Sequence, residues 1–412
     1  ARIGGAEVHI QHLLPALARR GHEAGFLAAD GLPRERSILP HGLPSWSVSR
    51  EGAEPALESV ARWAPEVVYV HQLPDPAVAL RLQQRWPSLQ FLHCYQGVCV
   101  SGLKCWKTSR PRPCHRQLGW ACLLHYYPHR CGGWNPVTMW RLFREQRRVQ
   151  AVLRGFEFLV THSAAMRDEY LRHGFHPARV AKIPFWVAST GPAAAGPRRL
   201  TAAGPVRLLF LGRFEEVKGG ALLLQALRPL VERLRREVWL TMAGDGPQRT
   251  AWEREAARLQ ALEPRLRITF PGWLAAAPRD AALAETDLLV FPSVWPEPFG
   301  MTGLEAGSHG APTVGFDVGG VREWLKDGIN GRVAPGPVPH PEALATAMIE
   351  VLQDTERYAR FSRGALELAE AFDERTHLDA LENMLQRTRR REGSRTPPPL
   401  PGDSAAAAQG FS

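Results

Sequence analysis

The sequence predicts an α/β protein built as two parallel-sheet domains, and three observations carry that prediction. Short apolar runs suited to buried strands recur at 24–28, 67–70, 89–93, 156–161 and 180–183, with helical patterns between them. The same alternation returns at 206–211, 237–242, 267–271, 287–291 and 312–316. Between the two series lie residues 190–204, rich in Pro, Ala and Gly, the composition of an interdomain linker.

Taken in order, the first helix spans 5–20, with Val8, Ile10, Leu13, Leu14 and Leu17 on its buried side. A long helix near 136–154 and another at 164–173 fall within the first domain, residues 1–188, which carries a Cys- and aromatic-rich insert at 94–134. Residues 189–204 form the linker, 205–371 the second domain and 372–389 a final helix. The tail 390–412, rich in Pro, Ala, Gly and Ser, is expected to be disordered. The chain has no starting Met and opens on a loop that should follow a strand, so a central strand of about five residues is expected to be absent.

Two motifs carry chemistry. In the run Val206-Arg-Leu-Leu-Phe-Leu-Gly-Arg-Phe-Glu-Glu-Val-Lys-Gly219 a strand ends at Gly212, and a long amphipathic helix starts near Gly219. Arg213 and Lys218 flank the loop between them, so a guanidinium fork and a point-charge ammonium converge beside a helix start. That combination cradles a diphosphate. It is not a Walker A loop, because no glycine precedes Lys218 and no Ser or Thr follows it, which disfavours metal-assisted NTP hydrolysis.

The second motif is Trp295-Pro-Glu-Pro-Phe-Gly-Met-Thr-Gly-Leu-Glu305, between the strand 287–291 and a helix at 301–308. Glu297 lies in the loop at the strand's carboxyl end, and Glu305 lies in the helix. In open α/β sheets this crevice is where ligands bind. Carboxylates are poor neighbours for phosphate and good acceptors for sugar hydroxyls, so the pair suits a ligand carrying both groups.

These runs resemble retaining glycosyltransferases of family 4, which have the GT-B fold. The matching pieces are Gly4-Gly-Ala-Glu7, Gly212-Arg213 with Lys218-Gly219, Ala243-Gly-Asp-Gly-Pro247, Glu297 with Glu305, and Gly319-Gly-Val-Arg-Glu323. They follow the family's order across roughly residues 4–390. The resemblance implies two Rossmann-like domains facing across a cleft, with the final helix crossing back to the first. It also implies that Arg213 and Lys218 bind the donor diphosphate and stabilise the leaving group, that Glu297 holds donor-sugar hydroxyls, and that Glu305 accepts from the ribose. Backbone N–H groups of Phe299, Gly300 and Met301 would contact sugar and phosphate. Gly5, Gly212, Gly272 and Thr302 complete the implied donor-binding set, with the Gly4-Gly5 loop closing from the opposite domain. His93 matches a family histidine that faces the transferred sugar; a lone His ending a buried strand is as often a core residue. The implied donor is a UDP- or GDP-sugar, and the implied acceptor a glycan, lipid-linked or small molecule. Neither Asp-x-Asp nor a His/Asp cluster lies near these loops, so no catalytic metal or other cofactor is expected.

All six cysteines fall between Cys94 and Cys131, interleaved with His93, His115, His125 and His129. The segment lacks the Cys-x₂-Cys knuckle of zinc sites. Reduced thiols in an irregular insert rank first, a structural zinc or iron–sulfur site second, and disulfides last for a cytosolic protein. Trp106, Trp120, Tyr126, Tyr127, Trp134 and Trp140 share the segment. They are read first as the insert's own small core, then as contacts to acceptor or to a lipid interface.

With 412 residues, 44% hydrophobic and 22% charged, the chain has the make-up of a globular protein of about two domains. No run approaches the roughly 18 apolar residues of a spanning helix, and no secretory signal is visible, so a cytoplasmic location is expected. Net charge is +10, with only five lysines. The basic runs 141–148 and 387–395 read first as a solvated helix face and a loose tail. A functional role would be docking to an anionic leaflet at the inner face of a membrane rather than nucleic-acid recognition, for which no motif is present. Two rival functions remain: a catalytically silent nucleotide-sugar-binding protein, and a sugar-nucleotide epimerase, against which the paired glutamates argue.

Overall fold

The computed structural model describes residues 5–29, 42–71, 75–108, 111–187, 196–201, 203–336 and 338–390. The N-terminal lobe contributes β1 (Phe26–Ala28), β2 (Ser45–Ser47), β3 (Val68–Val70), β4 (Ser88–Phe91), β5 (Cys105–Trp106), β6 (Arg112–Pro113), β7 (Phe158–Thr161) and β8 (Val180–Lys182). The parallel order β3-β4-β7-β8 forms one sheet, while β1 and β2 pair as a separate parallel ribbon and β5 and β6 as an antiparallel one. The parallel strands expected in this lobe are thus split between two sheets. The β2 strand was unexpected, because Ser-Trp-Ser is short and half polar; Trp46 holds it by packing on Trp63, ring centres 5.6 Å apart. The tail beyond 390, most of the linker and Gly4 lie outside the described residues.

The C-terminal lobe is one six-stranded parallel sheet of β9 (Val206–Leu211), β10 (Val238–Ala243), β11 (Leu266–Gly272), β12 (Leu288–Phe291), β13 (Thr313–Phe316) and β14 (Gly331–Ala334). Its order is β11-β10-β9-β12-β13-β14. The chain builds outward from β9 on one side, then returns to start again at β12, so the order reverses between β9 and β12. Both strands are apolar and largely buried, as expected for central strands covered on both faces. The β14 strand was missed: Gly-Arg-Val-Ala carries too little apolar signal and gains its place as a sheet edge.

Helix Gly220–Leu234 follows β9 and buries Leu223, Leu224, Leu227, Leu230 and Val231, a helical stripe facing the sheet. Before it, Gly219 has φ +72, and a Cβ there would lie 1.8 Å from the Pro292 carbonyl oxygen. Val294 N donates to Val217 O at 2.9 Å. The loops after β9 and β12 are therefore zipped together, with no room for a side chain at Gly219.

The lobes are tied by several contacts. Phe299 packs against Phe185 and Phe372, with ring centres 5.6 and 5.8 Å apart. Glu323 accepts from Ala164 N at 2.6 Å, at the start of helix Ala164–Arg172, and pairs with Lys182 at 2.9 Å. The Gly319–Glu323 motif therefore clamps one lobe to the other. Helix Glu374–Arg389 crosses back to the first lobe, where Arg19 and Arg20 meet Glu374, Asp379 and Glu382.

The first lobe also holds an interior shelf of histidines. His71 follows β3, His93 follows β4, and His162 follows β7; His9 comes from helix Gly5–Arg19 and His377 from the crossover helix. Their rings pack with Phe91, Phe185 and Trp186, His162 stacking on Phe185 at 3.9 Å. Burial pushes all five below the ordinary histidine value, His93 and His377 to about 4. Folding therefore excludes protons that the unfolded chain takes up below its ordinary value of 6.5.

Two outcomes follow. Stability is full above pH 6.5 and falls as pH drops toward about 4, by about 3 kcal/mol for His93 alone. Urea unfolding across that range checks the slope, and His93→Gln flattens it. Gly219→Ala strains a left-handed residue and drives a methyl into a carbonyl, so it costs about 2–4 kcal/mol by the same measurement.

Candidate functional site

The strand order reverses between β9 and β12, the place in an open parallel sheet where ligands bind, and both charged motifs follow directly on these two strands. Glu297 is 4% exposed, and its Oε1 accepts from Lys218 Nζ at 2.6 Å and from Ser293 Oγ at 2.6 Å. Lys218 also lies over the Trp295 ring, 5.1 Å from its centre. A carboxylate this buried requires a partner charge, and removing that partner costs several kcal/mol. The Lys218 side chain keeps 17% of its surface exposed, against 5% for the Glu297 side chain.

The other expected residues surround this pair at different depths. Arg213 stands on the same loop, but its side chain is half exposed and its Nη1 bonds Glu215 Oε1 at 2.7 Å. It sits at the rim. Glu305 lies one turn into helix Thr302–Ser308, with Oε1 3.5 Å from Arg279 Nη1. Burial pushes the Glu305 carboxyl up; Arg279 opposes the rise and Asp280 adds to it.

The backbone between the two glutamates is shaped from beneath. Trp324 Nε1 donates to Phe299 O at 2.7 Å, and its ring fills the space under Gly300 and Gly303. Gly320 N donates to Glu297 O at 2.7 Å, and Gly319 has φ +56, with its Cβ position 2.4 Å from that same oxygen. Met301 caps the helix, which starts at Thr302, and the Thr302 hydroxyl is buried with no partner. At seven residues this helix offers only a small dipole, so the fixed cations dominate the local field.

Across the sheet, strand ends are laced together. Gly212 N donates to Ala243 O at 3.1 Å, and Gly244 N to Gly272 O at 2.8 Å. Asp245 accepts from Gly246 N at 2.8 Å, within the turn after β10. Trp273, beside Gly272, is 57% exposed. From the other lobe, Gly5 begins the first helix, and His93 Nε2 lies 3.0 Å from His71 Nδ1. His93 is thus an uncharged member of the histidine shelf at neutral pH. The structure brings Lys218 and Glu297 into contact and leaves Arg213 and Glu305 with other partners.

Sequence reasoning missed Ser293, Trp295, Arg279, Trp324 and His71. Ser293 lies four residues before Glu297 and His71 directly after a predicted strand, so both had a local signal; Arg279 and Trp324 had none.

The insert is an irregular segment with six free cysteines. Burial pushes Cys94 up to about 11, and Cys105 and Cys131 to about 12, so these stay thiols at neutral pH. Among the described residues no group of three or more His, Cys, Asp or Glu is arranged to hold a metal ion. The aromatics divide: Tyr126 is buried with Val100, Leu118 and Phe143, whereas Trp120, Trp134 and Trp140 face solvent. The reading of one small aromatic core thus holds for only part of the set.

Comparison with known proteins addresses the whole chain. A model described as Glycosyltransferase Family 4 matches residues 3–188, and one described as Glycosyl transferases group 1 matches residues 198–367. A glycogen synthase of Mycobacterium tuberculosis is 29% identical over 96% of this chain and 94% of its own length. A phosphatidyl-myo-inositol mannosyltransferase of Mycolicibacterium smegmatis is 32% identical over 40% of this chain and 41% of its own. Among solved structures, Anabaena HepE in complex with UDP-glucose aligns with a TM-score of 0.64 at 19% identity, covering 94% of this chain and 97% of that one. Sucrose-phosphate synthase from Thermosynechococcus elongatus aligns with a TM-score of 0.63 at 19% identity, covering 93% of both. The structural matches give the fold, and the two family models together span most of residues 3–367. The chain belongs to glycosyltransferase family 4, whose members are retaining, nucleotide-sugar hexosyltransferases of the GT-B fold.

Proposed function

We propose that the chain moves a hexosyl unit from a UDP- or GDP-sugar to a glycan, lipid-linked or small-molecule acceptor. The observation that carries this reading is the Lys218–Glu297 contact at the reversal point of the C-terminal sheet. Glycosyl transfer develops positive charge on the sugar and negative charge on the departing diphosphate. Lys218 takes the phosphate side, with Arg213 swinging in from the rim, while Glu297 accepts from sugar hydroxyls. These fixed cations supply the charge stabilisation, and the reading routes no step through a metal. Glu305 accepts from the ribose. The backbone of Phe299, Gly300 and Met301, with Thr302, lines the sugar and phosphate, and Gly212 and Gly272 leave room at the strand ends. Gly5 and His93 face the donor from the other lobe.

In this reading residues 205–371 bind the donor, 1–188 bind the acceptor, 189–204 link them, and 372–389 form the crossover. A glycan acceptor is supported by the glycogen synthase relative, and a lipid-linked one by the phosphatidyl-myo-inositol mannosyltransferase. Among the described residues no helix is long and apolar enough to cross a membrane. The proposed location is cytoplasmic, with peripheral contact at an anionic inner leaflet.

Incubation with UDP- and GDP-sugars, following nucleotide release with and without acceptor, tests the activity. Acceptor-stimulated release is expected; interconversion of the sugar or tight binding without turnover would replace the reading. Lys218→Ala or Arg213→Ala costs about 3 kcal/mol or more in kcat/KM. Because Lys218→Ala also strands a buried carboxylate, Lys218→Met combined with Glu297→Gln recovers stability without recovering turnover.

Glu305 gives a second pH test, read in donor affinity rather than in stability. Its raised carboxyl protonates first as pH falls, so donor affinity weakens on the acid side and recovers as pH rises. Glu305→Gln raises the donor KM about tenfold, the worth of a charged hydrogen bond, without loss of Tm at neutral pH.

A further inference from the structure

The insert and the helix after it carry a surface that the transfer chemistry does not use. Between Asp75 and Glu145 the sequence has no acidic residue. Residues 111–148 hold seven arginines against the single acid Glu145. The same window contains the most solvent-facing large apolar side chains of the described residues: Trp120 is 69% exposed, Leu124 79%, Trp134 78% and Val137 73%. Trp140 stacks on Trp120 at 5.8 Å, and Trp134 on Tyr127 at 5.8 Å; the first pair rests on Phe143 and the second on Tyr126, both members of one buried cluster.

Helix Pro136–Leu153 explains how the charge meets the patch. Val137, Trp140, Arg141, Arg144 and Arg148 recur at helical spacing along one exposed stripe, while Phe143, Val149, Val152 and Leu153 face the interior. Indole rings and aliphatic tips are thus fringed by guanidinium groups, with Arg130 on the preceding turn also exposed.

We propose that this face docks on an anionic lipid bilayer, with Trp120, Leu124 and Trp134 entering the headgroup–acyl boundary and Arg130, Arg141 and Arg144 pairing with lipid phosphates. Charge selects this occupant. A second copy would set one arginine-rich stripe against another. A single-stranded nucleic acid would use the rings but not the aliphatic Leu124 and Val137, which acyl chains accommodate. The insert's inner end leans on the site: Cys105 Sγ contacts Val294 O at 3.9 Å, and the Tyr95 and Trp295 rings are 6.5 Å apart. Docking would therefore hold the mouth of the crevice near the headgroup layer. The surface deepens the peripheral-contact reading above, and only its link to a lipid-linked acceptor rests on the proposed transfer activity.

The test is sedimentation of the full chain with vesicles of phosphatidylcholine, with and without phosphatidylglycerol. The chain is expected to sediment with the anionic vesicles alone and to be released as salt rises. Trp120→Ser, Leu124→Ser and Trp134→Ser together are expected to lower the bound fraction roughly tenfold or more, as is Arg141→Glu with Arg144→Glu. These side chains are exposed, and an unchanged Tm confirms that the variants fold. Failure of the unaltered chain to bind overturns the proposal, as does equal binding by the triple variant. So does a dimer in vesicle-free solution that the triple variant dissociates, or an oligonucleotide that displaces the chain from vesicles through the same residues. Nucleotide release on a soluble acceptor, without vesicles, separates the two readings. Its loss with vesicle binding intact rejects the transferase reading alone, and the converse rejects this surface alone.

Discussion

The neighbouring of β9 and β12 is the constraint on which the rest of the site depends. The two strands lie far apart in sequence, with two further strands and their helices between them, yet the sheet order places them side by side. Only then does Lys218 reach the buried Glu297 carboxylate. A different strand order would leave that carboxylate buried without a cation, a loss of several kcal/mol. The Gly219–Pro292 approach and the Val294–Val217 hydrogen bond fix the same pairing through the backbone. Fold and candidate site are therefore specified by one set of contacts, and the loops cannot slip without losing both.

That coupling explains what could be read in advance. The central strands were legible because continuous Leu, Val and Phe runs have few alternatives to burial on both faces. The charged motifs were legible because each lies directly after such a strand. The short, half-polar β2 and β14 draw their stability from tertiary pairing and were not. Arg279 and Trp324 were invisible for the same reason: nothing in their local sequence says which backbone or carboxylate they will meet. The histidines are an intermediate case. His93 ends a predicted strand, and His71 and His162 sit just beyond two others, so parallel topology alone was enough to gather them, but only His93 drew notice.

The histidine shelf shows the cost of interior polarity near such a site. Nε2 of His9 and of His377 is buried without a hydrogen-bond partner, while Nδ1 of His377 meets the Pro184 carbonyl at 2.6 Å. Kept neutral by burial, the rings act mainly as flat aromatic surfaces, as the close stack of His162 on Phe185 shows. Neutrality also bears on the proposed transfer. Phe185 touches Phe299, so the shelf stands against the loop that follows Glu297. In the proposed reaction, charged imidazoles there would add positive potential beside the transferred sugar, whose oxocarbenium-like state already carries positive charge.

The insert is held rigidly enough for its outer surface to matter. Lys104 is 2% exposed, adopts φ +51, and pairs through Nζ with Glu169 at 2.6 Å while bonding the Arg116 carbonyl at 2.5 Å. A non-glycine residue keeps that backbone conformation only when its surroundings over-determine it. Glu169 belongs to helix Ala164–Arg172, whose first turn Glu323 of the other lobe caps. Insert, first-lobe helix and interlobe clamp thus form a chain of direct contacts. The insert's buried cluster of Val100, Leu118, Tyr126 and Phe143 is already enclosed, so turning Trp120 or Trp134 inward would require opening it. Their exposure is therefore a property of the folded insert rather than slack in its packing, and the arginine stripe beside them gives that outward face its direction.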